Sequence, residues 1–193
     1  MKSGKRPQLN LTASQKANLA ARLTLRPDRS DEGGLLPATK AALGLPQDTA
    51  ARSAERVAAL ARALAHERLV VPVPVETDPH AEGHEHQGLG EDDHVPLATT
   101  PTEMGPIVVA FSSVEELHKW DAQARPMTMP SQKVALTAGL ATPAGQVWVD
   151  PAGAGSTVLP RQVVHALAGG DQWLPPWEDA SLRTLLTEVA KGS

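Results

Sequence analysis

The stretch PIVVAFSSVEELHKW, residues 106–120, contains the plainest strand-to-helix transition in the sequence. The five consecutive apolar residues 107–111 are typical of a buried strand. The two serines that follow stand three residues before glutamates, which is the pattern of a capping box at a helix N-terminus. We therefore predict that Ser112 or Ser113 caps a helix that follows a core strand.

Similar transitions recur on both sides of this stretch. Strand patterns are found at 69–75, 126–129, 146–150 and 156–159, and helix patterns at 49–66, at 131–140, after Pro160 and at 182–189. Asp150 and Ser156 then bound a turn between two strands of a hairpin, and Pro160 is predicted at the first helical position. The sequence predicts an α/β (α+β) fold: a mixed sheet of about four to five strands flanked by helices, with an N-terminal helical segment and a C-terminal helix.

The strand pattern LVVPVPV, residues 69–75, contains two prolines on the same side of the strand. Proline lacks a backbone N–H, so Pro72 and Pro74 would block one side while Val71 and Val73 pair on the other. A strand of this kind is predicted at a sheet edge. Val71 and Val73 are therefore candidate interface residues.

The helix predicted at 49–66 has a clear apolar stripe. Its apolar positions follow the spacing i, i+3, i+4 and i+7: Val57, Leu60, Ala61 and Leu64. The charged residues are predicted on the solvent side: Arg52, Glu55, Arg56 and Arg62. Asp48 or Thr49 is the predicted N-cap, and Ser131 is predicted to cap a later helix.

These patterns divide the 193 residues into four parts. We expect a disordered tail at 1–10, a helical and loop extension at 11–48, an α/β domain at 49–176 with an acidic, histidine-bearing loop at 76–105, and a C-terminal helix at 177–193 packed on the same domain.

Composition and charge exclude several classes of function. The formal net charge is −4, and a duplex-binding protein needs a cationic face, so no nucleic-acid partner is expected. No apolar run reaches the length of a membrane helix, and no signal-peptide pattern is found, so the cytoplasm is the default location. The chain has no cysteine, which excludes a disulfide framework, a thiolate metal site and a thiol nucleophile.

Two groups of residues are candidates for binding small ligands. Four histidines in the acidic loop could hold a transition metal: His80, His84, His86 and His94. The alternative is a solvated polar loop with only adventitious metal binding. The second group is the turn after the strand at 146–150, where Asp150, Gly153, Gly155 and Ser156 could line a ligand crevice. The alternative is that Asp150 satisfies amides of its own turn.

Three further residues have alternative interpretations. His165 could complete the Asp150 site, or it could be a partly buried structural histidine in a helix. Trp173 and Trp177 flank two prolines and could anchor an interface, or they could clamp the last helix onto the domain.

Four stretches together resemble the SseB-like N-terminal domain family, named for enhanced serine sensitivity, in versions from high-GC Gram-positive bacteria. They are ARLTLRPDRSDEGG (21–34), ALAHERLVVPV (63–73), VVAFSSVEELHKWDAQARPMTMP (108–130) and VWVDPAGAGSTVLPRQVVHALAGGDQWLPP (147–176). The resemblance implies an α/β domain without assigned catalytic residues and a cellular connection with serine and a sulfurtransferase. A cysteine-free chain could not itself carry a persulfide and could only assist a protein that does.

Three hypotheses of function follow. The first is a non-enzymatic binding or regulatory protein with a protein partner and no cofactor; a homo-oligomer is compatible with it. The second is a small-ligand-binding protein or enzyme using Asp150 and His165. The third is a metal-handling protein using the loop histidines.

Overall fold

A computed structural model describes residues 31–73, 97–103, 105–180, 184 and 187–188. The predicted α+β class is confirmed, with five helices and six strands of assigned bounds within these residues. The helices are α1 (Pro37–Leu43), α2 (Ala50–Leu64), α3 (Val114–Trp120), α4 (Ser131–Ala141) and α5 (Arg161–Gly169). The strands are β1 (Arg68–Val73), β2 (Thr99–Thr100), β3 (Ile107–Ala110), β4 (Arg125–Pro130), β5 (Val147–Val149) and β6 (Thr157–Leu159).

The predicted tail at 1–10, the extension before Asp31 and most of the 76–105 loop lie outside the described residues. Within the described part of the chain, no helix combines the length and apolar character that crossing a bilayer requires.

The strands form a four-stranded sheet, in the order β2-β3-β5-β6, and a β1-β4 ribbon. Strands β3 and β5 are parallel, and the other pairs are antiparallel. The predicted hairpin of β5 and β6 is confirmed, with Trp148 opposite Val158. A single antiparallel bridge between Val70 and Phe111 joins the ribbon to the sheet.

Pro72 lies in β1 and Pro74 lies outside the described residues, but the strand is not a free edge. Val70 exchanges two backbone hydrogen bonds of 2.8 Å with Phe111, and the whole strand pairs with β4 on its other side. Because alternate residues of a strand point their backbone groups to opposite sides, Pro72 faces the Phe111 side and Val71 faces β4. The prediction of a sheet edge is wrong at Val70, because this residue pairs with Phe111 on the side that Pro72 blocks two residues later.

The larger core lies on one face of the sheet. It contains apolar side chains of α1, α2, α4 and α5, together with inward-facing residues of the strands. A smaller cluster lies on the other face, where Leu117 of α3 packs with Val70, Val109 and Phe111. Helix α3 therefore covers the second face next to the bridge.

Two predicted helix caps are confirmed. The Ser113 hydroxyl accepts the backbone N–H of Glu116 at 3.2 Å, and the Thr49 hydroxyl accepts that of Arg52 at 3.2 Å. Each bond satisfies one of the free amides in the first turn of a helix. Ser113 thus fixes the start of α3, which carries Glu116 toward the end of β5.

The cap prediction for Ser131 is wrong. Ser131 is the first residue of α4, and its hydroxyl donates to the carbonyl of Glu67 at 2.6 Å. The Glu67 carboxylate in turn accepts the N–H groups of Ala38 and Thr39, at 3.0 and 2.7 Å. The start of α1 is therefore capped by a side chain distant in sequence. Pro160, predicted at the first helical position, instead lies one residue earlier, as the N-cap of α5.

Candidate functional site

Asp150 follows β5 and has a backbone conformation that is unusual for a residue other than glycine. Its φ is 51°, and only 2% of its surface is exposed. Its N–H donates to the carbonyl of Ala110 at 3.0 Å, and its carboxylate oxygen Oδ1 accepts the N–H of Ser112 at 2.7 Å. Asp150 therefore joins the carboxyl ends of the parallel strands β3 and β5. The interpretation that the Asp150 carboxylate only satisfies amides of its own turn is wrong. Its hydrogen-bond partner, Ser112, lies in the connection between β3 and α3.

The residues predicted around Asp150 do converge in one turn. Gly153 donates its N–H to the carbonyl of Asp150 at 3.0 Å, and Ser156 donates its N–H to Gly153 at 3.1 Å. The Ser156 hydroxyl also accepts the indole N–H of Trp148 at 2.8 Å. A Cβ atom on residue 153 would collide with the carboxylate of Glu116. Glycine at this position therefore allows the turn to lie directly against α3.

Arg56 belongs to this site, although its charge led to a prediction on the solvent side of α2. The residue is 3% exposed. Its guanidinium donates to the carbonyl of Leu45 at 3.0 Å and to that of Gly155 at 2.8 Å. Arg56 precedes Leu60 by four residues, so helical periodicity places it on the buried stripe. That spacing is the signal by which it could have been found.

Arg68 extends the polar contacts to the N-terminal side of the domain. It donates to the Ser112 carbonyl at 3.2 Å and binds the Asp31 carboxylate with two bonds of 2.5 and 2.8 Å. It also donates to the carbonyl of Gly34 at 2.6 Å. The Ser112 backbone is thus held at its N–H by Asp150 and at its carbonyl by Arg68.

Three polar side-chain atoms near this turn are buried and have no hydrogen-bond partner among the described residues. They are the Ser112 hydroxyl, the second carboxylate oxygen of Glu116 and Nε of Arg56. The other Glu116 oxygen accepts the Lys119 ammonium at 2.7 Å. Unpaired buried polar atoms are uncommon, so these three mark the turn as chemically distinct.

Burial raises the pKa of the Asp150 carboxyl, and the nearby Glu116 charge acts in the same direction. The Ser112 side chain, the Ser112 backbone N–H and the charge of Lys119 oppose this rise. Burial also lowers the pKa of Arg56, although the charge of Asp150 opposes that shift. Hydrogen bonds to Glu116 and Glu115 raise the pKa of the exposed Lys119. The site therefore favours a proton on Asp150 more than water does.

This arrangement can hold a proton on Asp150 and fix the ends of two strands. Asp150 and Ser112 are each 2% exposed, so a substrate reaches neither while the turn stays in place. Among the described residues, no group of three or more His, Cys, Asp or Glu side chains is arranged to hold a metal ion. The predicted metal ligands His80, His84, His86 and His94 lie outside the described residues.

His165 does not have the predicted environment. It is exposed on α5 rather than partly buried, and none of the hydrogen bonds described for the Asp150 turn involves it. Val71 is fully buried in the core, which removes it from any surface, whereas Val73 is partly exposed at the end of β1.

A second feature is an apolar groove between α1 and α2. Its volume is about 400 Å³ and it is open to solvent. Its lining is mostly alanine: Ala38, Ala41, Ala42, Leu45, Ala59, Arg62 and Ala63. We call this surface the α1–α2 groove. Sequence patterns did not indicate it, because small residues on two short segments give no distinctive spacing.

The connector after α5, residues 171–178, reaches this groove. Trp173 is half-buried against the core, whereas Leu174 and Trp177 are 46% and 47% exposed. Glu178 forms an ion pair of 3.5 Å with Arg62, which lines the groove. Of the two tryptophans, Trp173 attaches the connector to the core and Trp177 is exposed.

Comparison with models of known protein families gave a match. The family model described as the SseB protein N-terminal domain matches residues 47–166. This range contains the Asp150 turn, Arg56 and α2. A search of curated proteins found no significant match, and neither did a search of solved structures.

Proposed function

Because the chain belongs to the SseB family, whose N-terminal domain spans most of its described residues, we propose that it is a non-enzymatic accessory protein that binds another protein. The binding surface is the α1–α2 groove, extended by the exposed Leu174 and Trp177. The partner is a protein that offers an amphipathic helix with an acidic residue near its apolar face.

The open apolar groove is the single observation that carries this proposal. A hydrophobic groove is the kind of surface into which an amphipathic helix can lay its apolar face. An alanine floor lets a second helix approach closely, because its side chains project little. Arg62 at the rim forms an exposed ion pair with Glu178, for which an acidic residue of the partner would compete. Trp177 adds an aromatic side chain of the kind that often dominates binding energy.

The Asp150 turn supports the same proposal, because its buried charged groups are used for structural contacts. Its charged groups bind backbone atoms: Arg56 binds two carbonyls, and Asp150 binds the N–H of Ser112. Such contacts stabilise the arrangement of strands and helices beneath the groove. In this proposal the polar residues shape the domain, and the recognition surface lies on α1 and α2.

A small-ligand or enzymatic role at Asp150 is the second candidate. The positive φ of a buried aspartate and the unpartnered atoms of Ser112 and Glu116 favour it, since strain and unpaired polar groups cluster at functional sites. His165 contributes nothing to it in this arrangement. Metal binding by the loop histidines stays a prediction.

Several finer features of the proposal go beyond the family assignment. A sulfurtransferase that carries a persulfide is a suitable partner, because the cysteine-free chain could only assist such chemistry. Location in the cytoplasm, origin in a high-GC Gram-positive bacterium, self-association and the absence of a nucleic-acid partner stay predictions.

The test is a comparison of matched variants in a quantitative pull-down from cell extract. Ala41→Glu places a carboxylate on the groove floor, and Ala141→Glu makes the same change at an exposed position of α4 outside the groove. We expect a protein that is captured by the wild type and Ala141→Glu and is depleted about tenfold or more with Ala41→Glu. If every captured protein binds both variants equally, the groove is not the recognition surface.

A further inference from the structure

We propose that this domain excludes strand addition at its sheet edges: an outward-facing proline on each free edge keeps a strand of a second copy of the chain from pairing there. The free edges in the described part of the chain are the outer sides of β2, β4 and β6. This inference concerns the strands and does not rest on the proposed function of the α1–α2 groove.

Strand β4 directs the backbone groups of Thr128 away from its partner β1. Val70 is bonded to Phe111 on the far side of β1, so Thr128, which lies opposite Val70, also points away from the ribbon. Pro126 and Pro130 lie two residues before and after Thr128 and share its direction. Because proline has no backbone N–H, Thr128 has the one backbone donor on this edge of β4.

Strand β6 has the same arrangement. The N–H of Asp150 donates to β3, and by alternation the backbone groups of Trp148 face β3 as well. Val158 lies opposite Trp148 and therefore points its backbone groups outward. Pro160, two residues later, shares this direction and has no N–H. The N–H of Ser156, two residues before Val158, is bonded within its own turn.

The edge at β2 ends in the same way. Val109 donates its N–H to the carbonyl of Ala98, so Thr99 points outward, and Pro101 two residues later faces the same side. A proline thus follows the outward-facing residue by two positions on all three free edges. Since antiparallel pairing uses a donor at every second residue, an added strand could form one bridge but could not continue past the proline.

These outward-facing residues are accessible and favour strands. Val158 is 41% exposed, Thr99 is exposed and Thr128 is half-buried. Valine and threonine are enriched in strands, and an exposed edge is a template for pairing with another chain. The prolines therefore block edges that would otherwise be able to pair.

Strand β1 shows the effect of such a proline within this fold. It bridges Phe111 through Val70 alone, and Pro72 follows Val70 by two residues on the same side. Both hydrogen bonds of this bridge measure 2.8 Å, so the contact is well formed, yet it is not extended into a ladder. A single bridge of this kind is the most that we expect at the edges of β2, β4 and β6.

The test restores one N–H at a time. Pro126→Thr gives β4 a second outward donor, and Pro160→Thr does the same for β6. Threonine favours strands and is polar, so these changes add little apolar surface. Pro143→Thr is the matched control, because Pro143 is exposed in the loop between α4 and β5.

Self-association is measured by sedimentation velocity over a range of protein concentrations, after circular dichroism has shown that each variant is folded. We expect the association constant to rise about tenfold or more for Pro126→Thr and Pro160→Thr, because each new N–H adds hydrogen bonds between paired edges. Pro143→Thr should match the wild type. Unchanged association of both edge variants would overturn the proposal, and so would an equal rise for Pro143→Thr.

The absence of cysteine from the sequence allows the contact to be located. Thr128→Cys is introduced into the wild type and into Pro126→Thr. Facing residues of a hydrogen-bonded antiparallel pair have Cα atoms about 5.5 Å apart, which suits a disulfide. We expect disulfide-linked dimers to form about tenfold faster with Pro126→Thr than without it. Equal rates would contradict the proposal for β4.

Discussion

The Asp150 carboxylate accepts the backbone N–H of Ser112 at 2.7 Å and so connects the ends of two parallel strands. This contact is buried, and the aspartate has a positive φ that few residues tolerate. Arg68 holds the carbonyl of Ser112, and Arg56 holds the carbonyl of Gly155 in the same turn. These buried polar contacts hold the ends of the two strands in place. Substitution of each residue therefore measures its contribution to the stability of the domain.

Asp150→Asn should change how stability depends on pH. Burial raises the pKa of Asp150, so the folded protein binds this proton more tightly than the unfolded chain does. The aspartate's contribution to stability therefore falls as pH rises from the ordinary value of 3.8 through the raised pKa, and is constant above it. Urea unfolding at a series of pH values should show the variant gaining stability relative to the wild type across this window.

Asp150→Ala is the control for this experiment. Asparagine keeps an acceptor for the Ser112 N–H and tolerates positive φ, whereas alanine leaves that N–H unpaired and buried. Alanine should cost about 1–3 kcal/mol of unfolding free energy even at low pH. A stability difference between Asp150→Asn and the wild type that is the same at every pH would contradict the raised pKa.

Arg56→Ala should be strongly destabilising. The substitution removes two charge-assisted hydrogen bonds and leaves the carbonyls of Leu45 and Gly155 without this donor. We expect a loss of about 3 kcal/mol, measured by urea denaturation at neutral pH. Arg52→Ala on the same helix removes an exposed ion pair with Asp48 and should cost about 0.5 kcal/mol or less. Similar losses of unfolding free energy for the two variants would mean that the buried contacts of Arg56 do not stabilise the fold.

Gly33→Ala should destabilise the fold, whereas Gly34→Ala should be nearly neutral. Gly33 has a φ of 77°, and a Cβ there would collide with Val114 at the start of α3. Gly34 has open space around the same position. We expect a loss of about 2 kcal/mol for Gly33→Ala and a change within about 0.5 kcal/mol for Gly34→Ala in thermal or urea unfolding. Two neutral substitutions would show that the segment before α1 does not pack on α3.

The features that local sequence determines were predicted well. Ser113 and Thr49 cap the helices that follow them because a cap needs only a hydroxyl and an amide three residues away. The pairing of β5 with β6 follows from two short apolar strands joined by a glycine-containing turn. The end of α5 is likewise local, because Gly170 caps the helix in the left-handed conformation that glycine adopts readily.

The features that depend on distant contacts were not predicted. Asp150 binds a residue 38 positions earlier, which requires β3 and β5 to be parallel neighbours. Arg56 was assigned to solvent by its charge, although its spacing from Leu60 puts it on the buried stripe. Ser131 serves the carbonyl of Glu67 because β1 and β4 bring the two together. The contacts of Asp150 and Ser131 require the tertiary fold, whereas the burial of Arg56 follows from its position on the helix and was obscured by its charge.

We propose above that the α1–α2 groove recognises a protein partner. The most direct measurement is isothermal titration of the purified partner into the wild type, Ala41→Glu and Ala141→Glu. We expect Ala41→Glu to weaken binding about tenfold or more, a loss of about 1.4 kcal/mol or more, while Ala141→Glu binds like the wild type. Equal affinity of all three proteins for the partner would contradict it.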